Sequence, residues 1–174
     1  MPFETILYET EGPIAWIKLN RPEKLNAINR TMVKELLLAT DKAQVDEAVR
    51  VIVIKGEGRA FSAGFDLAVD TDSNTTPEED LAALKEELHN DFELIMRFWD
   101  SPKPTIAAVK KYCLGGAFEL ALACDLTIAD KSCRFGEPEV TFGSGIVAML
   151  LPYICGPKIA KEILLTGNDR ISSE

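Results

Sequence analysis

The chain has 174 residues, of which 47% are hydrophobic and 27% are charged, and its formal net charge is −9. This length suits one compact domain with its own core, so a single domain over residues 1–174 is predicted. Because the net charge would repel a phosphate backbone, nucleic acid is excluded as the main partner.

The first half of the chain predicts a hairpin, a helix, a buried strand and two loops. Two short strands flank a turn at Gly12 and Pro13. Apolar residues at Val33, Leu36 and Leu37 then recur at helical spacing. In chain order, the predicted elements are the strands TILYET and IAWIKLN, the connector RPEKLNAIN, the helix RTMVKELLLATDKAQVD, the β-branched strand VRVIVIKG, the loop GEGRAFSAGFDL and a mobile acidic surface loop near residues 68–80.

The second half predicts four helices and two further strands. The first of these helices has apolar residues in steps of three and four, and SPKP ends it. Its apolar positions are Leu81, Leu84, Leu88, Phe92, Ile95 and Trp99. The strand TIAAVKKY, the buried helix GGAFELALAC, the strand LTIAD, the loop CRFGEPEVTFGSG and the helices IVAMLLPYICG and PKIAKEILLTG follow. Because strands and helices alternate, the predicted fold class is α/β.

Other features of the composition argue against several kinds of protein. No apolar run is long enough to span a bilayer, and the first residues lack the pattern of a signal peptide, so a cytoplasmic protein without a membrane partner is predicted. His89 is the single histidine and is predicted to be solvated, which disfavours histidine-based triads and metal sites. The four cysteines lack C-x-x-C spacing and are predicted to be reduced and buried; they are Cys113, Cys124, Cys133 and Cys155.

Glu119 lies among small and apolar residues in the stretch CLGGAFELALACD. A buried carboxylate without partners costs several kcal/mol, so its presence requires an explanation. If a helix begins near Gly116, Glu119 lies in the first turn, where the helix dipole and the free N–H groups favour an anion. The local sequence leaves two interpretations open: a carboxylate that caps its own helix, and a functional acid.

Two further carboxylates, Glu137 and Glu139, flank Pro138 in FGEPEV. One of these two acids is predicted to face a cleft and the other to face solvent. Considered alone, Glu139 fits an acid in a surface loop.

Small residues also follow two of the predicted strands, at Ala63 and Gly64 and at LGG. Such turns let backbone amides approach a ligand closely, and two amides aimed at one oxygen would form an oxyanion hole. The stretch GEGRAF lacks the third glycine of a dinucleotide-binding fingerprint.

Four blocks of the sequence together resemble the enoyl-CoA hydratase/isomerase (crotonase) family. They occur in the family's order and are LNRPEKLNAIN, GEGRAFSAGFDL, KKYCLGGAFELALACDLTIAD and FGEPEV. The resemblance covers almost the whole chain. It implies an α/β fold in which repeated β-β-α units form a spiral, and an acyl-coenzyme A thioester as the ligand.

The resemblance also implies roles for particular residues. The amides of Phe65 and Gly116 match the oxyanion hole, and Glu119 and Glu139 match the two catalytic acids of hydratases. The segments that contact coenzyme A match Lys24, Leu25, Ala63, Asp66 and Leu67. No metal or separate cofactor is implied, because coenzyme A is part of the substrate.

The implied reaction is hydration of a 2-enoyl-CoA to a 3-hydroxyacyl-CoA, a lyase reaction of fatty acid metabolism. Our hypothesis is that Glu139 protonates the α carbon and that Glu119 orients and activates the water. A double-bond isomerase needs one well-placed acid and remains an alternative, as does other acyl-CoA chemistry of the family. A non-catalytic acyl-CoA-binding or assembly protein is the alternative from another class.

The sequence departs from the family's pattern at three places. Phe65 replaces a common alanine, which leaves the amide in place but brings a bulky ring to the channel. The stretch after Glu139 is a few residues shorter than in most hydratases, so the size of the acyl group is open. A helical C-terminal region that builds trimers is expected to be absent or truncated, and a homotrimer or dimer of trimers is expected for a full-length chain.

Overall fold

The computed structural model describes residues 2–67 and 76–173. Within these ranges the strands are β1 (Ile6–Glu11), β2 (Ile14–Leu19), β3 (Val51–Gly56), β4 (Thr105–Val109), β5 (Tyr112–Leu114), β6 (Leu126–Ala129), β7 (Arg134–Gly136) and β8 (Ile171–Ser172). The α-helices are α1 (Arg30–Val45), α2 (Pro77–Trp99), α3 (Gly116–Ala123), α4 (Leu150–Ile154) and α5 (Pro157–Thr166). Two 3₁₀ turns cover Pro22–Lys24 and Pro138–Phe142. The predicted α/β class is confirmed.

The main sheet has five strands in the order β1-β2-β3-β4-β6. The hairpin β1-β2 is antiparallel, as predicted, and its turn places Gly12 at φ +55°. The later pairs are parallel, which requires a crossover between successive strands. The β-branched strand β3 lies in the middle of the sheet, and its side chains are buried or half-buried.

A second sheet of three short strands, in the order β5-β7-β8, lies beside the candidate site. The single strand predicted over TIAAVKKY is wrong, because the chain turns at Lys111, where φ is +61°, and continues as β5 in the other sheet. The predicted loop CRFGEPEVTFGSG contains β7 and a 3₁₀ turn. The predicted helix IVAMLLPYICG is helical only over Leu150–Ile154.

The long helix α2 begins earlier than its apolar pattern suggests. Thr76 forms a capping box with Glu79, and Pro77 occupies the start of the helix, so residues 77–80 of the predicted loop near 68–80 are helical. Residues 68–75 of that predicted loop lie outside the described residues. None of the helices within the described ranges is both long and apolar enough to cross a bilayer.

Asn26 ties the connector before α1 to the loop after β3. Its Nδ2 donates to the carbonyls of Glu57 at 2.9 Å and of Ala60 and Phe61 at 3.0 Å, and its Oδ1 accepts from the amide of Arg21 at 2.9 Å. Asn26 is fully buried and has φ +54°, a conformation that asparagine tolerates better than most residues. The Asn26 side chain therefore provides hydrogen-bond partners for several buried backbone groups that water cannot reach.

Asn26→Ala is expected to lower the free energy of unfolding by about 2–4 kcal/mol, because it leaves buried carbonyls without donors. Urea denaturation measures this change. Asn168→Ala is the control, because the Asn168 side chain accepts one exposed hydrogen bond from the amide of Arg170. An Asn26→Ala chain as stable as that control would contradict the assigned role.

Candidate active site

Two loops supply backbone amides that the sheets and helices do not use. Ile28 and Phe65 form an isolated parallel bridge in which the Ile28 amide donates to Gly64 and the Asp66 amide donates to Ile28, both at 2.9 Å. Because successive amides of an extended chain point to opposite sides, the N–H of Phe65 faces away from Ile28. The N–H of Gly116 lies at the first position of α3, where amides lack partners within the helix.

A buried serine fixes the loop that carries the Phe65 amide. Ser62 Oγ donates to the carbonyl of Asn26 at 2.8 Å and accepts from the amide of Gly64 at 3.1 Å. Sequence analysis missed this residue, although a hydroxyl two residues before a glycine is typical of a side-chain turn. Through these contacts, Asn26 and Ser62 together fix the backbone just before Phe65, whose amide is a candidate oxyanion-hole donor.

The amides of Phe65 and Gly116 meet at the carboxyl group of Glu139. Gly116 N donates to Glu139 Oε1 at 2.9 Å, and the Phe65 amide also donates to this carboxyl group. The structure thus brings together three residues that are far apart in the sequence and places an anionic oxygen where two N–H groups converge. Such a pair of donors is suited to stabilising a negatively charged oxygen.

Glycines allow this close approach. A Cβ at Gly115, where φ is +53°, would lie 1.9 Å from Glu139 Oε1, and a Cβ at Gly64 would lie 2.7 Å from the carbonyl oxygen of Leu114. A Cβ at Gly116 would lie 2.1 Å from Cε2 of Phe65, so the Phe65 ring packs directly over this backbone. No side chain larger than hydrogen fits these positions without displacement of their neighbours.

Glu119 is 0% exposed and projects from the first turn of α3. Its Oε1 accepts from the amide of Val147 at 2.8 Å, and its buried Oε2 has no hydrogen-bond partner. The interpretation as a cap of its own helix is wrong, because the N-cap residue is Gly115 and no side chain caps α3. Burial, with smaller contributions from Glu139 and Asp91 and against the lowering effect of the Val147 amide, raises the pKa of Glu119 to about 7.

Glu137 and Glu139 are both buried, at 0% and 6% exposure. The prediction that one of them faces solvent is therefore wrong. The reason is that side chains two residues apart do not take opposite sides of an extended backbone, and here Pro138 begins a 3₁₀ turn that keeps both acids inside the fold. Burial raises the pKa of Glu139, whereas the amides of Gly116 and Phe65 lower it. Burial, with contributions from Glu119 and Glu139, raises the pKa of Glu137 to about 9.

Asp91 on α2 is a fourth buried carboxyl group at this site, and sequence analysis missed it. Its pKa is raised to about 7 by burial, by Glu87 and by Glu139, whereas Arg30 lowers it. Asp91 therefore faces the same electrostatic environment as the two predicted acids.

A cleft of ≈ 250 Å³ leads past Phe65 and Asp91. The predicted contact residue Asp66 lines it and is held by an ion pair with Arg21 at 2.9 Å. The cleft therefore reaches Phe65, one of the two residues whose amides face Glu139.

The other predicted contact residues lie beside the same loop. The Ala63 amide donates to the Leu25 carbonyl at 3.0 Å, so these two residues are adjacent. Lys24 is exposed next to them, and Leu67 is exposed at the end of the loop. Their placement allows contact with a ligand that approaches from solvent.

Of the histidine and the cysteines, Cys113 lies nearest to this arrangement of donors, in β5 directly before the loop that opens α3. His89 is exposed on α2, as predicted. All four cysteines are free thiols, of which Cys155 is half-buried and the others are buried. Across residues 2–67 and 76–173, no group of three or more histidine, cysteine or acidic side chains is arranged to hold a metal ion.

Because these acids are buried, the free energy of unfolding is expected to fall as pH rises. Glu119 and Glu137 have an ordinary pKa of 4.5 and raised values of about 7 and about 9, so the folded chain binds more protons than the unfolded chain between these limits. The stabilising contribution is complete below the ordinary pKa and is lost as pH rises through the raised values. Each group contributes at most about 1.4 kcal/mol per pH unit.

Glu137→Gln is expected to flatten this dependence between about pH 5 and about pH 9, because one titrating group is removed. Urea denaturation over a pH series measures the slope. The control is Glu162→Gln on the exposed surface of α5, which should keep the parent's slope. A Glu137→Gln chain with an unchanged slope would contradict the raised pKa of Glu137.

Comparison with known proteins finds a matching family and relatives of similar sequence. The sequence profile of the family described as enoyl-CoA hydratase/isomerase matches residues 9–174. The crotonyl-CoA hydratase of Syntrophomonas wolfei is 36% identical over 97% of this chain and 64% of its own length. The 2,3-dehydroadipyl-CoA hydratase of Escherichia coli is 37% identical over 93% of this chain and 62% of its own length. The chain thus spans less than two thirds of these relatives.

Solved structures agree with this placement. An enoyl-CoA hydratase/isomerase from Xanthobacter autotrophicus Py2 is 51% identical and superposes with a TM-score of 0.90, over 98% of this chain and 62% of that one. An enoyl-CoA hydratase from Thermoplasma volcanium is 32% identical, with a TM-score of 0.84 over 97% of this chain and 66% of that one. The predicted crotonase-like fold is confirmed by these matches.

Proposed function

The chain belongs to the enoyl-CoA hydratase/isomerase family, and from this premise we propose that its site hydrates a 2-enoyl-CoA thioester to a 3-hydroxyacyl-CoA. The observation that carries the proposal is the convergence of the Phe65 and Gly116 amides on one carboxyl group, with a second acid, Glu119, buried nearby. Hydration needs a site for a developing enolate oxygen and acids that move two protons.

In the proposed complex, the thioester oxygen takes the position that Glu139 Oε1 occupies beside the two amides. Negative charge that builds on this oxygen is then stabilised by two N–H donors in a site that excludes bulk water. The same displacement removes from Glu139 the hydrogen bonds that favour its ionised form, so its pKa rises. Substrate binding thereby favours the protonated Glu139 that must deliver a proton.

Glu119 is suited to act as the base. Its Oε2 has no partner in residues 2–67 and 76–173 and can accept a hydrogen bond from the reacting water, while the Val147 amide fixes Oε1. With a pKa of about 7, a substantial fraction of Glu119 is ionised at neutral pH.

The proposed bond changes balance. The oxygen of water forms a bond to the β carbon, and one of its protons passes to Glu119. The proton of Glu139 passes to the α carbon as the enolate collapses to the thioester. Return of the Glu119 proton to Glu139 restores the starting state. The proposed reaction uses neither a metal nor a separate cofactor, since coenzyme A is part of the substrate.

A double-bond isomerase is the second candidate, and it would use one acid to move a proton between carbons. The burial of both Glu119 and Glu139 at one site favours hydration. The expected homotrimer or dimer of trimers also stays a prediction, which a mass measurement in solution tests.

The experiment is an assay of the purified chain with 2-enoyl-CoA esters of increasing length, in which loss of the enoyl ultraviolet absorbance reports hydration. A parallel assay with 3-enoyl-CoA reports isomerisation. We expect hydration of at least one ester. Binding of the esters without turnover of either kind would favour the non-catalytic alternative.

A further inference from the structure

Glu137 is a buried acid that the proposed reaction does not use. It is 0% exposed, and neither of its carboxyl oxygens has a hydrogen-bond partner among the residues that the structure describes. It follows Gly136, whose carbonyl accepts from the Gly115 amide at 2.9 Å, so its backbone lies against the loop that opens α3. It precedes the 3₁₀ turn but makes no capping hydrogen bond with it. Glu137 is thus a buried side chain without a local structural bond, and it interacts electrostatically with Glu119 and Glu139.

The groups that act electrostatically on Glu137 favour its neutral form. Glu119 on α3 and Glu139 on the 3₁₀ turn act on it electrostatically, and Cys113 on β5 is coupled to it. None of these three groups is a cation. An ionised carboxyl group in this position would lack both solvent and a counter-ion, so the neutral acid is strongly favoured.

A neutral carboxyl group has one O–H donor, and the site contains one unsatisfied acceptor that suits it. Glu119 Oε2 is buried and without a partner, whereas Oε1 is satisfied by the Val147 amide. Within the described residues, three buried oxygens of these two acids have no hydrogen-bond partner, namely Oε2 of Glu119 and both oxygens of Glu137, and Glu119 acts electrostatically on Glu137. Buried polar atoms are rarely left unpaired, and a donor beside an ionised acceptor forms a strong hydrogen bond.

We propose that Glu137, in its neutral form, donates a hydrogen bond to Oε2 of Glu119 through one bridging water and is thereby the positioning residue for the base. This inference deepens the proposed function and rests on it for its catalytic meaning. The hydrogen bond orients the Glu119 carboxylate and favours its ionised form, so that Glu119 can take a proton at neutral pH. Glu137 itself exchanges no proton with substrate.

Two substitutions separate hydrogen bonding from bulk. Glu137→Gln keeps a donor that never titrates, and Glu137→Leu keeps a similar volume without a donor. Leucine removes a buried polar group, so it is expected to fold, which urea denaturation checks. Glu162→Gln on the exposed face of α5 is the matched control.

Infrared difference spectra test the proposal without substrate. The protonated-carboxyl band at neutral pH should be smaller in Glu137→Gln than in the parent and unchanged in Glu162→Gln. The carboxylate band of Glu119, assigned with Glu119→Gln, should titrate about one pH unit higher in Glu137→Leu than in the parent or in Glu137→Gln. Equal titration in all three chains, or no loss of the protonated band, would overturn the proposal.

The pH dependence of hydration gives the second readout. In Glu137→Leu, the acidic limb of the pH profile of kcat should move to higher pH, and kcat at neutral pH should be about tenfold lower. In Glu137→Gln, this limb should stay near that of the parent. The alkaline limb should weaken in Glu137→Gln, because the donor no longer titrates. If Glu137 had a purely structural role, neither the acidic nor the alkaline limb of the pH profile of kcat would shift. An absence of hydration in the parent would defeat the proposed function, whereas the infrared titration would still decide the hydrogen bond.

Discussion

Glu119→Gln and Glu139→Gln are each expected to slow hydration of crotonyl-CoA by roughly 10²–10⁴-fold. Glutamine keeps the size and the hydrogen-bonding capacity of the side chain but cannot accept or deliver the proton. The effect should appear in kcat, because neither substitution removes the binding contacts of the coenzyme A part. Steady-state kinetics from the loss of enoyl absorbance measures it.

The double substitution tests whether the acids act together. If they act on one water and one substrate, the combined loss should be well below the product of the two single losses. Glu162→Gln on the exposed face of α5 should keep the parent's rate. Near-full hydration activity in both single variants would show that the assigned acids are wrong.

Gly115→Ala is expected to slow hydration by roughly 10²–10³-fold, the typical effect of losing an oxyanion-hole donor. The new Cβ would lie 1.9 Å from Oε1 and 2.5 Å from Cδ of Glu139, so it would displace the acid and shift the adjacent Gly116 amide. The same space is where the proposed thioester oxygen binds.

Gly12→Ala is the matched control for backbone strain. Gly12 has φ +55°, close to the φ +53° of Gly115, but a Cβ there would meet nothing within 4 Å. Gly12→Ala should lose only the stability that the unfavourable φ costs and should keep the rate, whereas Gly115→Ala should also lose stability from the contact with Glu139 and should lose the rate. Equal hydration rates in the two folded variants would show that the loop at Gly115 takes no part in the reaction.

Long, periodic elements were predictable from the sequence. The hairpin β1-β2 and the helices α1 and α2 extend over many residues, so their apolar patterns are clear. The strands β5 and β7 have three residues each and β8 has two, which is too short for any period to appear. Their pairing depends on contacts between distant segments that no local pattern records.

The candidate site was predictable only in part for a related reason. Asp91 could have been found, because it lies three residues after Leu88 and four before Ile95, on the apolar face of α2. The burial of Glu137 depends on how the segment around the 3₁₀ turn that begins at Pro138 packs in the fold, which no local pattern records. The contact of Glu139 with two amides depends on how three loops meet in the fold.

Because Glu139 contacts the two amides that are proposed to bind the thioester oxygen, its carboxyl group takes two positions in the proposed cycle. Without substrate it accepts from the Gly116 and Phe65 amides, and with substrate it yields them to the thioester oxygen. Binding of a non-reactive acyl-CoA near neutral pH is therefore expected to be accompanied by proton uptake, because the displaced carboxyl group loses the bonds that favour its anion.

Analysis of the product formed in isotopically labelled water tests the central claim most directly. The chain is incubated with a 2-enoyl-CoA ester in heavy water enriched in heavy oxygen, and the product is examined by mass spectrometry and NMR. The account predicts one labelled oxygen on the β carbon and one deuterium on the α carbon, in equal amounts. Deuterium in a thioester that has gained no oxygen, or an ester recovered without either label, would contradict it.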